Sequence, residues 1–112
     1  MIIAIVKLSG SIHAYEGIVE ININGIWGTV CKHGFNMAAA NVTCRQLHYI
    51  GAKSIKNFVL PSSSNLPHLI DQVQCVGDEE ALSYCLHSRN VTSCSRQSTI
   101  GIECINKRSK DC

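Results

Sequence analysis

The residues with the most chemistry to offer are seven cysteines, at positions 31, 44, 75, 85, 94, 104 and 112. No two form a Cys-x-x-Cys pair, so neither zinc knuckles nor a thioredoxin-like redox site is indicated. Scattered at this density they point to disulfide chemistry in an oxidising compartment. Six pair internally and Cys112 is left over, for an intermolecular or interdomain bond or as the stranded end of a fragment. Other reactive types are dispersed. His13, His33, His48, His68 and His87 stand singly, without the close spacing of a zinc-binding helix. Ser62-Ser63-Ser64 lacks a nucleophile-elbow context, and a cysteine nucleophile needs a free thiolate beside a base. No catalytic residue emerges, and the chain reads as a non-enzyme. Asp71, Asp78, Glu79 and Glu80 are weak cation-ligand candidates, more simply read as a solvated acidic loop. Asn41-Val42-Thr43 and Asn90-Val91-Thr92 are glycosylation sequons, the first on an expected helix and the second in an expected loop.

These side chains need a frame. At 112 residues, 46% hydrophobic and 16% charged, the chain is globular rather than disordered. With 5% aromatic residues and one Trp, large side chains supply little of the core, and cross-links become the natural source of stability. The net charge of +2 does not by itself imply nucleic-acid binding. No stretch approaches the roughly 20 apolar residues of a membrane-spanning helix. Residues 1–6 are too short and lack the flanks of an export signal.

Val19, Ile21 and Ile23 alternate with Glu20 and Asn22, giving one buried and one wetted strand face. Asn24-Gly25 supplies a tight hairpin turn, after which residues 26–31 return antiparallel with Trp27 and Cys31 in one core layer. Asn36 caps a helix running to Leu47, with Met37, Ala40, Cys44 and Leu47 on its inner face and Gly51 ending it. Residues 52–65 read as a long surface loop with one edge strand. A strand follows over 69–75, with Leu69, Asp71, Val73 and Cys75 on one face. One or two helical turns fall within 79–85, and a last strand over 99–105 buries Ile100, Ile102 and Cys104. The whole is one unit, residues 1–112, with a core over about 5–105 and a tail or linker over 106–112.

Glu16-Gly17, then Gly25-x-Trp27-Gly28-Thr29-Val30-Cys31, Ala40-Asn41-Val42-x-Cys44-Arg45-Gln46-Leu47, Val73-x-Cys75-x-Gly77, Leu82 and Cys85, Cys94, and Gly101-Ile102-x-Cys104 resemble, in order and spacing, the signature of the scavenger receptor cysteine-rich (SRCR) family. The resemblance implies an α+β fold, a curved antiparallel-rich sheet cradling one helix. It also implies the pairing Cys31 with Cys94, Cys44 with Cys104 and Cys75 with Cys85; six cysteines alone allow fifteen pairings. Tyr15 and Tyr49 stand where an eight-cysteine subgroup carries two more, which places the chain with the six-cysteine subgroup.

Many members hold calcium between acids after the second-strand cysteine and a later glutamate. Here Lys32 and His33 follow Cys31 and only Glu79 matches, so the calcium site is expected to be absent or weakened, no cofactor is expected, and millimolar calcium should leave the melting temperature nearly unchanged. Lys32, His33, Arg45, Lys53, Lys56, Arg89 and Arg96 are candidates for a basic ligand-binding face. The resemblance implies an extracellular module, secreted or part of a surface ectodomain, that binds a protein or polyanion. The alternative is an accessory domain of a larger extracellular enzyme: Tyr49-x-x-Ala52-Lys53-Ser54 is similar to lysyl oxidase-like members.

Overall fold

A computed structural model of the chain describes residues 4–56, 58, 60–61, 63–95 and 98–108. In chain order it contains β1 (Val6–Ser9), β2 (Glu16–Ile23), β3 (Ile26–Val30), α1 (Met37–Gln46), β4 (Ala52–Lys56), β5 (His68–Gln74), a 3-10 turn (Leu82–Tyr84), β6 (Leu86–Ser88) and β7 (Gly101–Cys104). The strands form one curled mixed sheet in the order β4-β7-β2-β3-β5-β6, with β1 added against β2. All pairs are antiparallel except β3 with β5.

The hairpin forms where the sequence places it. Asn24 and Gly25 both adopt positive φ, 55° and 88°, as the twist of a two-residue hairpin requires, and Ile23 then faces Ile26. Val19, Ile21 and Val30 belong to one core cluster with Ala39, Ala40, Val42 and Cys44 of α1. Trp27 does not share it. Partly exposed, Trp27 lies outside the core cluster with the Lys7 ammonium 4.2 Å over its ring. The small Gly28 occupies the inward position opposite Ile21. Glu20 is also not wetted as its alternation suggests. It is 5% exposed because β1 lies alongside, bringing Lys7 to 3.8 Å and the Ser9 hydroxyl into a hydrogen bond with its carboxylate.

Asn36 caps α1, its side chain accepting the Ala39 N–H at 3.1 Å and satisfying a donor that the first turn would otherwise leave free. Met37, placed inward by the spacing, is 41% exposed; Ala39, Ala40, Val42, Thr43 and Cys44 make the buried face. Nor does Gly51 end the helix. His48 does, at φ 75°: its N–H reaches the Arg45 carbonyl (2.9 Å) while the Tyr49 N–H reaches that of Cys44 (2.9 Å). This is a Schellman cap with histidine where glycine is usual. His48→Gly removes the left-handed strain of a Cβ-bearing residue, partly offset by a freer unfolded chain. It should raise stability by about 0.5–1 kcal/mol, read as a higher urea midpoint at constant m-value.

The alternation expected over 69–75 breaks at Gln72, whose φ of 53° turns the backbone so that neighbouring Ile70 and Asp71 are both fully buried. The tail is docked as far as Arg108. The Ile50 N–H bonds the Lys107 carbonyl at 3.1 Å, and the Arg108 guanidinium lies 5.0 Å from the Tyr49 ring.

Candidate functional site

Three disulfides fix the frame: Cys31–Cys94, Cys44–Cys104 and Cys75–Cys85. The first two tie residues 63 and 60 positions apart, while the third closes a local clasp of separation 10 with its Cα atoms 4.8 Å apart. Val76 follows Cys75, and Tyr84 and Leu86 flank Cys85. Val76 is 85% exposed, Leu86 75% and Tyr84 42%. One residue step is about 3.8 Å, so these three Cα atoms lie within about 12 Å of one another, three exposed apolar residues close together on a covalently pinned base.

The C-terminal end of α1 positions this clasp. Gln46 accepts the Leu82 N–H at 2.9 Å and donates to the Ala4 carbonyl at 2.8 Å. Leu82, fully buried, anchors the 3-10 turn. Arg45 donates to the Glu79 carbonyl at 3.1 Å. The Glu79 carboxylate in turn accepts the N–H groups of Val76 (2.8 Å) and Gly77 (2.9 Å), closing the turn next to Cys75. In the sequence only its place in the Cys44-Arg45-Gln46-Leu47 motif marks Gln46, and nothing there identifies it as a positioning residue.

The backbone N–H of Val76, then that of Gly77, with Arg45 adding a smaller attraction, hold the Glu79 carboxyl below the usual glutamate range. A lowered folded-state pKa means that the turn is favoured above the ordinary glutamate pKa and loses that support as pH falls through the lower one. The amide proton signals of Val76 and Gly77 should therefore move together on acidification, with a midpoint below that of a free glutamate. Glu79→Gln should abolish the step.

The basic candidates do not share one environment. Lys56 lies between Glu103 (3.1 Å) and Glu16 (3.2 Å), and Lys53 is 3.7 Å from Glu103. Glu103 first, then Glu16, push the Lys56 pKa up; the Ser11 hydroxyl first, then Lys56, bring Glu16 down. These lysines are on β4 at one end of the strand order, whereas Arg89 follows β6 at the other. Arg89 lines an open cleft of about 460 Å³ with Ile5, Asn22, Ile23, Ser83 and His87. Lys32 and His33 are exposed in the turn after β3, and Arg96 and Cys112 lie outside the described residues.

His33 Nδ1 stands 3.6 Å from both Cys31 Sγ and the buried Asp71 Oδ2. Both approaches use the same ring nitrogen and the sulfur is in a disulfide, so there is no nucleophile–base–acid relay. His68 joins the Thr29 hydroxyl to the Ser95 carbonyl, both at 2.7 Å, a structural role.

Calcium needs six to eight oxygen ligands. Two side-chain groups among the described residues bring possible metal donors together, Cys31 with His33 and Asp71, and Cys75 with Glu79 and Cys85, but every cysteine in them is disulfide-bonded. One carboxylate remains in each, with the His33 imidazole beside Asp71 in the first, and the residue after Cys31 is a lysine. Asp78 and Glu80 are exposed and belong to neither group. These donors do not fit calcium.

A curled mixed sheet over one helix, with one local and two long-range disulfides, defines a small cystine-stabilised module. A profile of the scavenger receptor cysteine-rich domain matches residues 9–105, and the chain belongs to the SRCR family. It is 38% identical over 102 residues to a scavenger receptor cysteine-rich domain superfamily protein of Patiria pectinifera, covering 88% of this chain and 9% of that protein. It is 37% identical over 94 residues to human lysyl oxidase homolog 2, covering 83% and 12%. The crystal structure of the third SRCR domain of murine neurotrypsin superposes with a TM-score of 0.72 at 30% identity, covering 90% of this chain and 95% of that one. The chain thus spans about a tenth of the length of these two curated relatives. Among the described residues no helix is long and apolar enough to cross a membrane.

Proposed function

We propose that this domain is an extracellular, non-catalytic protein-binding module whose contact surface is centred on Val76, Tyr84 and Leu86. One observation carries the reading: three large apolar side chains are held out to solvent on the Cys75–Cys85 clasp, which is tied to α1 through Arg45 and Gln46. Fixing them costs little further entropy on binding, and exposed aromatic and aliphatic anchors on a rigid base are the usual source of interface affinity. The extracellular placement rests on the family and on the disulfides, which persist in oxidising compartments.

The polyanion reading draws on Lys32, His33, Arg45 and Arg89, with Arg96 from the sequence. Lys53 and Lys56 support it less, their charges being matched by Glu16 and Glu103. A second role, as an accessory domain of a larger enzyme, is favoured by the likeness to lysyl oxidase homolog 2; the same patch would then face a neighbouring domain, with Cys112 available for a bond to it.

The oxidised domain, displayed as a multimer, should be screened against a panel of extracellular proteins and passed over heparin resin. Protein hits should fall at least tenfold in Leu86→Asp and Val76→Asp, and heparin retention should disappear below about 0.3 M salt, where diffuse attraction is screened. Heparin retention above that salt, with no protein hit sensitive to Leu86→Asp, would overturn the assignment in favour of a polyanion site.

A further inference from the structure

The two sequons, identical in pattern, are in opposite structural states, and we propose that Asn90 carries an N-linked glycan while Asn41 remains bare. This rests on the extracellular part of the reading above and is independent of what the domain binds. Asn90 is exposed, in the irregular segment between β6 and the disulfide-bonded Cys94. Its Oδ1 accepts both the Thr92 N–H (3.1 Å) and the Thr92 hydroxyl (2.8 Å). The turn thus brings the hydroxyl of the third sequon residue against the carboxamide and leaves Nδ2 without a hydrogen-bond partner among the described residues.

Asn41 is half-buried within α1, and its Oδ1 accepts the Ala52 N–H at 2.8 Å where β4 begins. Even a single Cβ added at Gly51 would lie 3.1 Å from that oxygen, tighter than ordinary van der Waals contact, so little room is left beside the carboxamide on that side. Thr43 is fully buried, with its hydroxyl donated to the Ala39 carbonyl at 2.9 Å. A glycan on Asn41 would have to stand where α1 meets the start of β4. Chains so modified would not reach this packing.

The co-reactant is an oligosaccharide linked to a polyprenyl pyrophosphate. Asn90 Nδ2 forms a bond to the anomeric carbon, the carbon–oxygen bond to the pyrophosphate breaks with its electron pair leaving on the lipid pyrophosphate, and Nδ2 gives up one proton. Nothing is oxidised or reduced.

The full chain, secreted from cultured animal cells behind a cleavable export signal, should be digested with peptide-N-glycosidase in ¹⁸O-labelled water and mapped by mass spectrometry. Label should enter at position 90 and not at 41. On a gel the undigested protein should run one glycan step above the digested form, a step lost in Thr92→Ala and kept in Thr92→Ser. Secreted, disulfide-bonded wild-type protein that lacks label at 90, or that carries it at 41, would overturn the proposal. Forced export decouples that failure from a failure of the binding assignment, which the protein panel measures separately.

Discussion

Replacing Cys44 and Cys104 together by alanine should lower the melting temperature by roughly 15 °C or more, and replacing Cys75 and Cys85 should cost less while dismantling the proposed contact surface. Closing a loop of separation 60 withdraws about 4 kcal/mol of chain entropy from the unfolded state; a separation of 10 withdraws about 3 kcal/mol. For a chain of this size 1 kcal/mol moves the midpoint by roughly 4 °C. The longer bridge is also fully buried between α1 and β7, so its removal leaves a void that adds to the entropic loss. The clasp is different in kind. Cys85 is buried in the core but Cys75 is only partly buried, and Gln46, Glu79 and Leu82 still hold the turns around them, though without the covalent tie between Val76 and Leu86. Cys75→Ala with Cys85→Ala should therefore keep a native far-UV spectrum at 25 °C while binding to any protein partner drops at least tenfold, because Val76 and Leu86 lose their common base. Thermal melts of the two double variants, followed by circular dichroism, decide the ranking. A clasp variant that melts below the Cys44/Cys104 variant would show that the local bridge, not the long-range one, holds the domain together.

The parts of the fold legible in the sequence are those whose causes are local. Asn24-Gly25 fixes a turn by its own φ preferences, and Asn36 with the following alanines starts a helix by its own capping chemistry. The failures have tertiary causes. Strand β1 folds back alongside Glu20 and buries it; His48 takes a conformation that composition assigns to glycine; and Gln72, at positive φ, lies where the pairing of β5 with β6 shifts register, an irregularity that a two-residue period does not carry. The candidate site follows the same division. The family likeness marks Cys75, Gly77 and Cys85, yet the exposure of Val76 and Leu86 depends on what the rest of the chain fails to cover. The basic residues cannot be grouped from sequence because strand order does not follow chain order: β4 and β6 lie at opposite ends.

The glycines of the signature show how a motif position becomes a packing constraint, and they carry the second large effect. A Cβ on Gly28 would sit 2.5 Å from the Pro67 carbonyl oxygen and 2.4 Å from Leu69 Cγ. That carbonyl accepts the Thr29 N–H at 2.8 Å, and Cys31 bonds the Ile70 carbonyl at 3.0 Å, so β5 can retreat only by giving up its parallel pairing with β3. Gly28→Ala should cost about 3 kcal/mol, at the upper end of what overpacking a tight core does. Gly17 is constrained twice, with φ at 148° and a virtual Cβ 2.4 Å from the Ser9 carbonyl oxygen on β1, and Gly17→Ala should cost at least as much. Gly25 is the internal control. Its φ of 88° also lies in the positive region that side chains rarely adopt, but nothing lies within 4 Å of its virtual Cβ, so Gly25→Ala carries only the backbone strain, about 1 kcal/mol. Urea unfolding of the three variants separates steric exclusion from conformational preference. If Gly28→Ala and Gly25→Ala proved equal, the close approach of β5 to β3 would not be what requires glycine at position 28.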